Sequence, residues 1–97
     1  MMLNSKKIAF LKALSHHKKP IVTIGNKGLT EPVVKEIMAG LKAHELIKIQ
    51  VLGDDRQARV NLFEEICKVT GAAPINHIGK LLIIYQPSDK NLIRLPD

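Results

Sequence analysis

From Ser5 to about His17 the apolar residues Ile8, Phe10, Leu11 and Leu14 fall on one helical arc, and Ser5 is placed to cap the first turn. Lys6, Lys12 and His16 take the outer side, while Lys7 lies near the arc with a stem that can pack as its ammonium reaches water. Pro20 interrupts this pattern. The β-branched run Ile21 to Ile24 then predicts a short strand, which enters a turn made of Gly25, Asn26, Lys27 and Gly28. Helical spacing resumes at once: Thr30 is a good N-cap, Pro32 is tolerated in a first turn, and Val33, Val34, Ile37, Met38 and Leu41 form an apolar stripe opposite Lys35 and Lys42.

After His44 the period changes to two. In Leu46 to Val51 the residues Ile47, Ile49 and Val51 are expected to face the core, with Lys48 and Gln50 facing away. Gly53, Asp54 and Asp55 read as a turn with acidic capping potential, and a third helix to about Thr70 carries Leu62, Phe63, Ile66 and Val69 inward before Gly71 ends it. Two last strands, about Ala73–Ile78 and Leu81–Gln86, flank Gly79 and Lys80, a two-residue link suited to a hairpin with glycine first. The order is αβαβαββ, an α/β domain whose crossovers imply a parallel component and whose final hairpin adds an antiparallel pair, giving a four-stranded mixed sheet. The segment from Pro87 to Asp97 is only weakly periodic and is expected to be a loose tail.

A chain of 97 residues makes a single domain, so any site must lie on the surface of one modest core. No apolar stretch approaches the ~20 residues of a spanning helix. Cys67 is the only cysteine and cannot form an internal disulfide, and the N-terminus shows no secretory pattern, so a reducing, cytoplasmic setting is expected. The net charge of +6 is unevenly placed: residues 1 to 52 hold nine lysines and three acids, whereas 53 to 97 hold six Lys or Arg and six acids. A one-sided excess of this kind suits a face that meets a polyanion.

That excess surrounds the glycine turn. Glycine admits positive φ and carries no Cβ to hold a sugar-phosphate chain away, and exposed amides near a helix start favour an anion. Lys12, His16, Lys18 and Lys19 precede the turn, Lys27 sits at its tip, and Lys35 follows one helical turn in. A GxxG loop is also what KH domains use to clamp nucleotide backbone. Two glycines three apart occur in many ordinary turns, so the motif gains weight only from this neighbourhood.

The run from His17 through Lys18, Lys19, Pro20 and Ile21-Val22-Thr23-Ile24 to the Gly25-Asn26-Lys27-Gly28-Leu29-Thr30 turn carries a family resemblance. With Ala43-His44-Glu45-Leu46-Ile47-Lys48, Gly71-Ala72 and Ile78-Gly79-Lys80, it closely resembles the CRM domain family in its stand-alone bacterial YhbY type. The resemblance spans nearly the whole chain. It implies an αβαβαββ fold related to the C-terminal domain of translation initiation factor three, and RNA binding. The family's stand-alone members are associated with precursors of the large ribosomal subunit and its plant relatives with intron splicing. The GxxG of the family falls on Gly25, Asn26, Lys27 and Gly28. A KH loop joins two helices whereas this one joins a strand to a helix, so KH-style base reading is not implied.

Other chemistries find little support. His16 and His17 are adjacent and diverge, and His44, Cys67 and His77 lack ligand spacing, so no metal and no cofactor is expected. Asp54-Asp55 and Glu64-Glu65 read as a cap and a solvated face, which nominates no enzymatic reaction and no small-molecule substrate. Both phenylalanines fall on core stripes, so a sheet of base-stacking aromatics is not expected. The acid-free first thirty residues could serve as a transit peptide or membrane-surface helix, but removing that helix would strip an apolar face from a small core. The expected function is that of a monomeric RNA-binding protein, gripping ribosomal RNA of precursor large subunits through Gly25 to Gly28, Lys12, His16, Lys18, Lys19 and Lys35. The alternative is a protein-interaction module docking on a ribosomal protein or another acidic partner.

Overall fold

The computed structural model describes residues 3–97. Helix α1 (Ser5–Ser15), strand β1 (Val22–Ile24), helix α2 (Glu31–His44), strand β2 (Leu46–Val51), helix α3 (Arg56–Thr70) and strands β3 (Ala73–Ile78) and β4 (Leu81–Tyr85) follow in the expected order. They form one α/β domain with a mixed sheet ordered β1-β2-β4-β3. β1 and β2 run parallel, with Thr23 opposite Gln50, and the other two pairings are antiparallel. β3 shifts register between Pro74 and Asn76, where a proline cannot donate to the ladder.

Both faces of the sheet are covered. α2 and α3 pack on one, closing a core of Val22, Ile24, Ile37, Leu41, Ile47, Ile49, Ile66, Leu82 and Ile84. α1 lies on the other, where Leu11 meets Leu46, Ile75, Ile83 and Tyr85. The side chain of Ile21, itself exposed, fills the space beside Gly40, where a Cβ would stand 2.8 Å from Ile21 Cδ1.

Several helix details differ from the sequence expectation. The cap of α1 is Asn4, whose side chain accepts from the Lys7 amide at 2.9 Å, rather than Ser5. Of the four apolar residues on the α1 arc only Leu11 is fully buried; Phe10 and Leu14 are 38% and 39% exposed. One helix shares its sheet face with the C-terminal segment, so the arc is wider than the surface left for it. Met38 and Val69, also expected inward, are exposed at the outer edges of α2 and α3.

The segment after Pro87, expected to be loose, is tied down. Ile93 and Leu95 pack beside the α1 core, and fully buried Glu45 accepts from the Ser88 amide (2.7 Å), the Ser88 hydroxyl (2.6 Å) and the Ile93 amide (2.9 Å). Glu45 occupies the C-cap of α2 with φ +67°, which aims its carboxylate across the chain at that segment. Burial pushes this carboxyl up, but the hydrogen bonds from Ser88, Ile93 and Leu92 outweigh it and hold the pKa below the ordinary value.

Three connections gather at one end of the sheet: the β1–α2 loop, the β2–α3 turn and the β3–β4 hairpin. Leu52 N–H bonds Ile24 O at 2.9 Å, Val51 N–H bonds Lys80 O at 2.8 Å, and Lys80 Nζ lies 3.2 Å from Asp54 Oδ1. In the hairpin Gly79 takes positive φ, as its first central position requires.

Candidate nucleic-acid interface

The Gly25 to Gly28 segment is a tight turn closed by the Gly28 amide on Gly25 O at 3.1 Å. Its two glycines have different reasons to be there. Gly28 has φ +72°, a conformation that a side chain would strain. Gly25 has no such φ, and a Cβ on it would meet nothing within 4 Å. Folding therefore makes no demand for glycine at position 25, and what its bareness provides is an open backbone surface. The Asn26 and Lys27 amides at the tip make no hydrogen bond within the described residues. At the helix start beyond them Thr30 Oγ1 accepts from the Val33 amide at 3.4 Å, Pro32 has no N–H to offer, and Glu31 adds its own negative charge. An anion at this loop is thus met by the turn amides and Lys27 rather than by the α2 N-terminus.

The remaining expected site residues divide into groups. Lys18 and Lys19 line a pocket of ≈ 200 Å³ with His44 and Lys48 at the opposite end of β1 from the turn. Lys48, expected to face solvent, is 9% exposed, because the second sheet face is covered. Among the described residues no acidic side chain lines this pocket, and none lies within 4 Å of the Lys48 ammonium. Lys12 is exposed on α1 and His16 at the C-cap just past its end, and Lys35 is exposed on α2 within 3.7 Å of Glu31, which offsets part of its charge. Lys18, Lys19 and Lys48 thus gather at one end of the edge strand β1 and Lys27 lies in the turn at its other end, instead of one cluster forming at the turn.

Lys48, His44 and Arg59 are not among the residues that the sequence assigns to the RNA-binding surface. Arg59 lines a cavity of ≈ 290 Å³ between the glycine turn and the β2–α3 turn. A signal for it exists in the sequence: it lies four residues before Phe63 and seven before Ile66, on the inward stripe of α3, where an apolar residue would be ordinary.

The aromatic residues offer few stacking platforms. Tyr85 is buried, and half-buried Phe63 packs edge-on to His77 with centroids 6.1 Å apart, which leaves Phe10 as the exposed ring. Among the described residues no three His, Cys, Asp or Glu side chains gather as a metal site, and no helix is long and apolar enough to cross a membrane. Burial pushes the Cys67 thiol up to about 11, so it stays protonated at neutral pH. Iodoacetamide should therefore leave Cys67 unmodified in the folded protein and alkylate it once urea is added, as mass spectrometry would show.

Residues 3–86 match the CRS1/YhbY (CRM) domain model. The chain belongs to this family. Proteins similar to this CRM domain are named for RNA. One from Haemophilus influenzae, named an RNA-binding protein, is 44% identical over 97% of this chain and 95% of its own length. The protein YqeI of Bacillus subtilis, named a probable RNA-binding protein, is 32% identical over 98% of this chain and all of its own. A solution structure from Staphylococcus aureus, of a hypothetical protein described as a candidate RNA-binding protein, superposes with a TM-score of 0.86 at 34% identity, covering 98% of this chain and 100% of that one.

Proposed function

We propose that this CRM domain binds RNA by its phosphate backbone along the β1 edge. The observation that carries the reading is the arrangement at the two ends of β1: a pocket of Lys18, Lys19, His44 and Lys48 without a carboxylate, and a bare glycine turn with two free amides. Lys12, His16, Lys27 and Lys35 extend the positive surface, and the turn amides seat one phosphate. The names of its relatives support RNA as the partner. In its finer form the proposal is that the RNA is ribosomal, in precursors of the large subunit, and that the protein acts as a monomer in the cytoplasm to assist assembly.

Backbone binding predicts a steep salt response. With five lysines on phosphates, at positions 12, 18, 19, 27 and 35, affinity should fall about 100- to 500-fold between 50 and 200 mM salt. Fluorescence anisotropy with a labelled ribosomal RNA fragment measures this, and a binding constant that barely moved would contradict the electrostatic account. Nuclease treatment of native complexes addresses the partner: loss of co-purifying ribosomal proteins on digestion is expected, and their retention would favour docking on protein.

A further inference from the structure

Arg59 is 8% exposed, and its surroundings do not balance its charge. Nη1 donates to Gly53 O at 3.1 Å, but Nε is buried without a partner, and no carboxylate among the described residues lies within 4 Å of the guanidinium. A buried cation in this condition is costly, and the cost is offset only by an anion or a full set of hydrogen bonds. The position lies on the inward stripe of α3, where an aliphatic side chain would pack without that penalty.

The cavity that Arg59 lines shows where an anion would come from. Its far wall is the glycine turn, including Gly25 and Gly28, and its near wall is the turn at Gly53 and Asp55, with Leu62 below. Asn26, whose amide is proposed above to meet RNA, lines the same cavity. We propose that Arg59 is the buried anchor for one phosphodiester of the bound RNA, seated in this cavity next to the glycine turn. The inference rests on the RNA-binding reading and adds to it a site that lies outside the lysine surface. Guanidinium suits the task because its planar fork meets a phosphate with two donors, which an ammonium cannot do.

Two acids also line the cavity. Asp54 is bridged to Lys80, and Asp55 Oδ1 accepts from the Ala58 amide at 3.1 Å as the cap of α3. Their residual charge opposes a freely diffusing anion, so the seat is filled by a phosphate that the rest of the RNA delivers. Inorganic phosphate at millimolar concentration should accordingly leave the site unchanged.

The test uses the full chain and a short hairpin of ribosomal RNA. In wild type, the Arg59 Nε–H signal in a nitrogen-proton correlation spectrum should shift on RNA addition and remain in place with inorganic phosphate. Arg59→Met should weaken binding about tenfold or more and reduce the salt slope by about one, with Arg59→Lys losing less. Melting curves establish that each variant is folded. If Arg59→Met fails to fold, the Nε–H signal and Arg59→Lys decide the matter. A folded Arg59→Met with unchanged affinity and salt slope overturns the Arg59 seat, while weakened binding by Lys27→Glu in the same assay would leave the RNA reading standing. Absence of wild-type binding to any RNA overturns both.

Discussion

Replacing Glu45 with glutamine should lower the stability of this protein by about 2–3 kcal/mol, since hydrogen bonds to a charged group contribute about 1.5–3 kcal/mol each and the amide turns one acceptor into a donor facing other donors. For a domain of this size that is a fall in melting temperature of about 10–20 °C. The carboxylate is fully buried and accepts from Ser88 twice and from Ile93 once. Without it the last ten residues lose these three hydrogen bonds, which loosens the packing of Ile93 and Leu95 on the α1 core. Glu45→Gly and Glu45→Ala separate two contributions. Both remove the carboxylate, but glycine also relaxes the φ of +67° at this C-cap, so the glycine variant should be the more stable of the two by about 1 kcal/mol.

Acid should reproduce part of this loss. The folded pKa of Glu45 lies below the group's ordinary value, so its contribution is present above the unfolded pKa and vanishes as pH falls through the folded pKa. Denaturant titrations across that range should show wild type converging on Glu45→Gln as pH decreases. A constant gap between them would mean that the carboxylate is not what holds the segment.

Element order was legible because the apolar period switches between 3.6 and 2 at places marked by Pro20, Gly25, Gly71 and Gly79. What escaped depends on surfaces supplied from elsewhere in the chain. Phe10 and Leu14 have the spacing of core residues, but how much sheet face remains for α1 is decided by residues 93 and 95. The anchoring of that segment comes from a carboxylate 48 residues away, which no local pattern announces. Lys48 alternates correctly with Ile47 and Ile49, yet alternation assigns it to a face without saying whether that face is covered. The glycine turn was visible as a motif, and the structure separates its glycines: position 28 answers to backbone geometry, position 25 does not.

That separation decides which loop variants are informative. Gly28→Asp would confound strain with function, because φ there is +72°. Gly25→Asp has open space for its side chain, so stability should stay within about 0.5 kcal/mol of wild type. Its carboxylate would nonetheless stand beside the Asn26 and Lys27 amides where a phosphate is proposed to sit. Lys27→Glu reverses the charge at an exposed position and should be equally silent in folding. Each should weaken binding to a ribosomal RNA fragment by about 10- to 100-fold, the loss of one charge-assisted contact plus repulsion from the new acid. Gly25→Ala is the stricter test, since it adds a methyl group without charge: a measurable loss would show that RNA approaches the backbone at van der Waals distance. If Gly25→Asp and Lys27→Glu both stay folded and bind as wild type does, the turn only connects β1 to α2, and the pocket of Lys18, Lys19, His44 and Lys48 must hold the RNA without it.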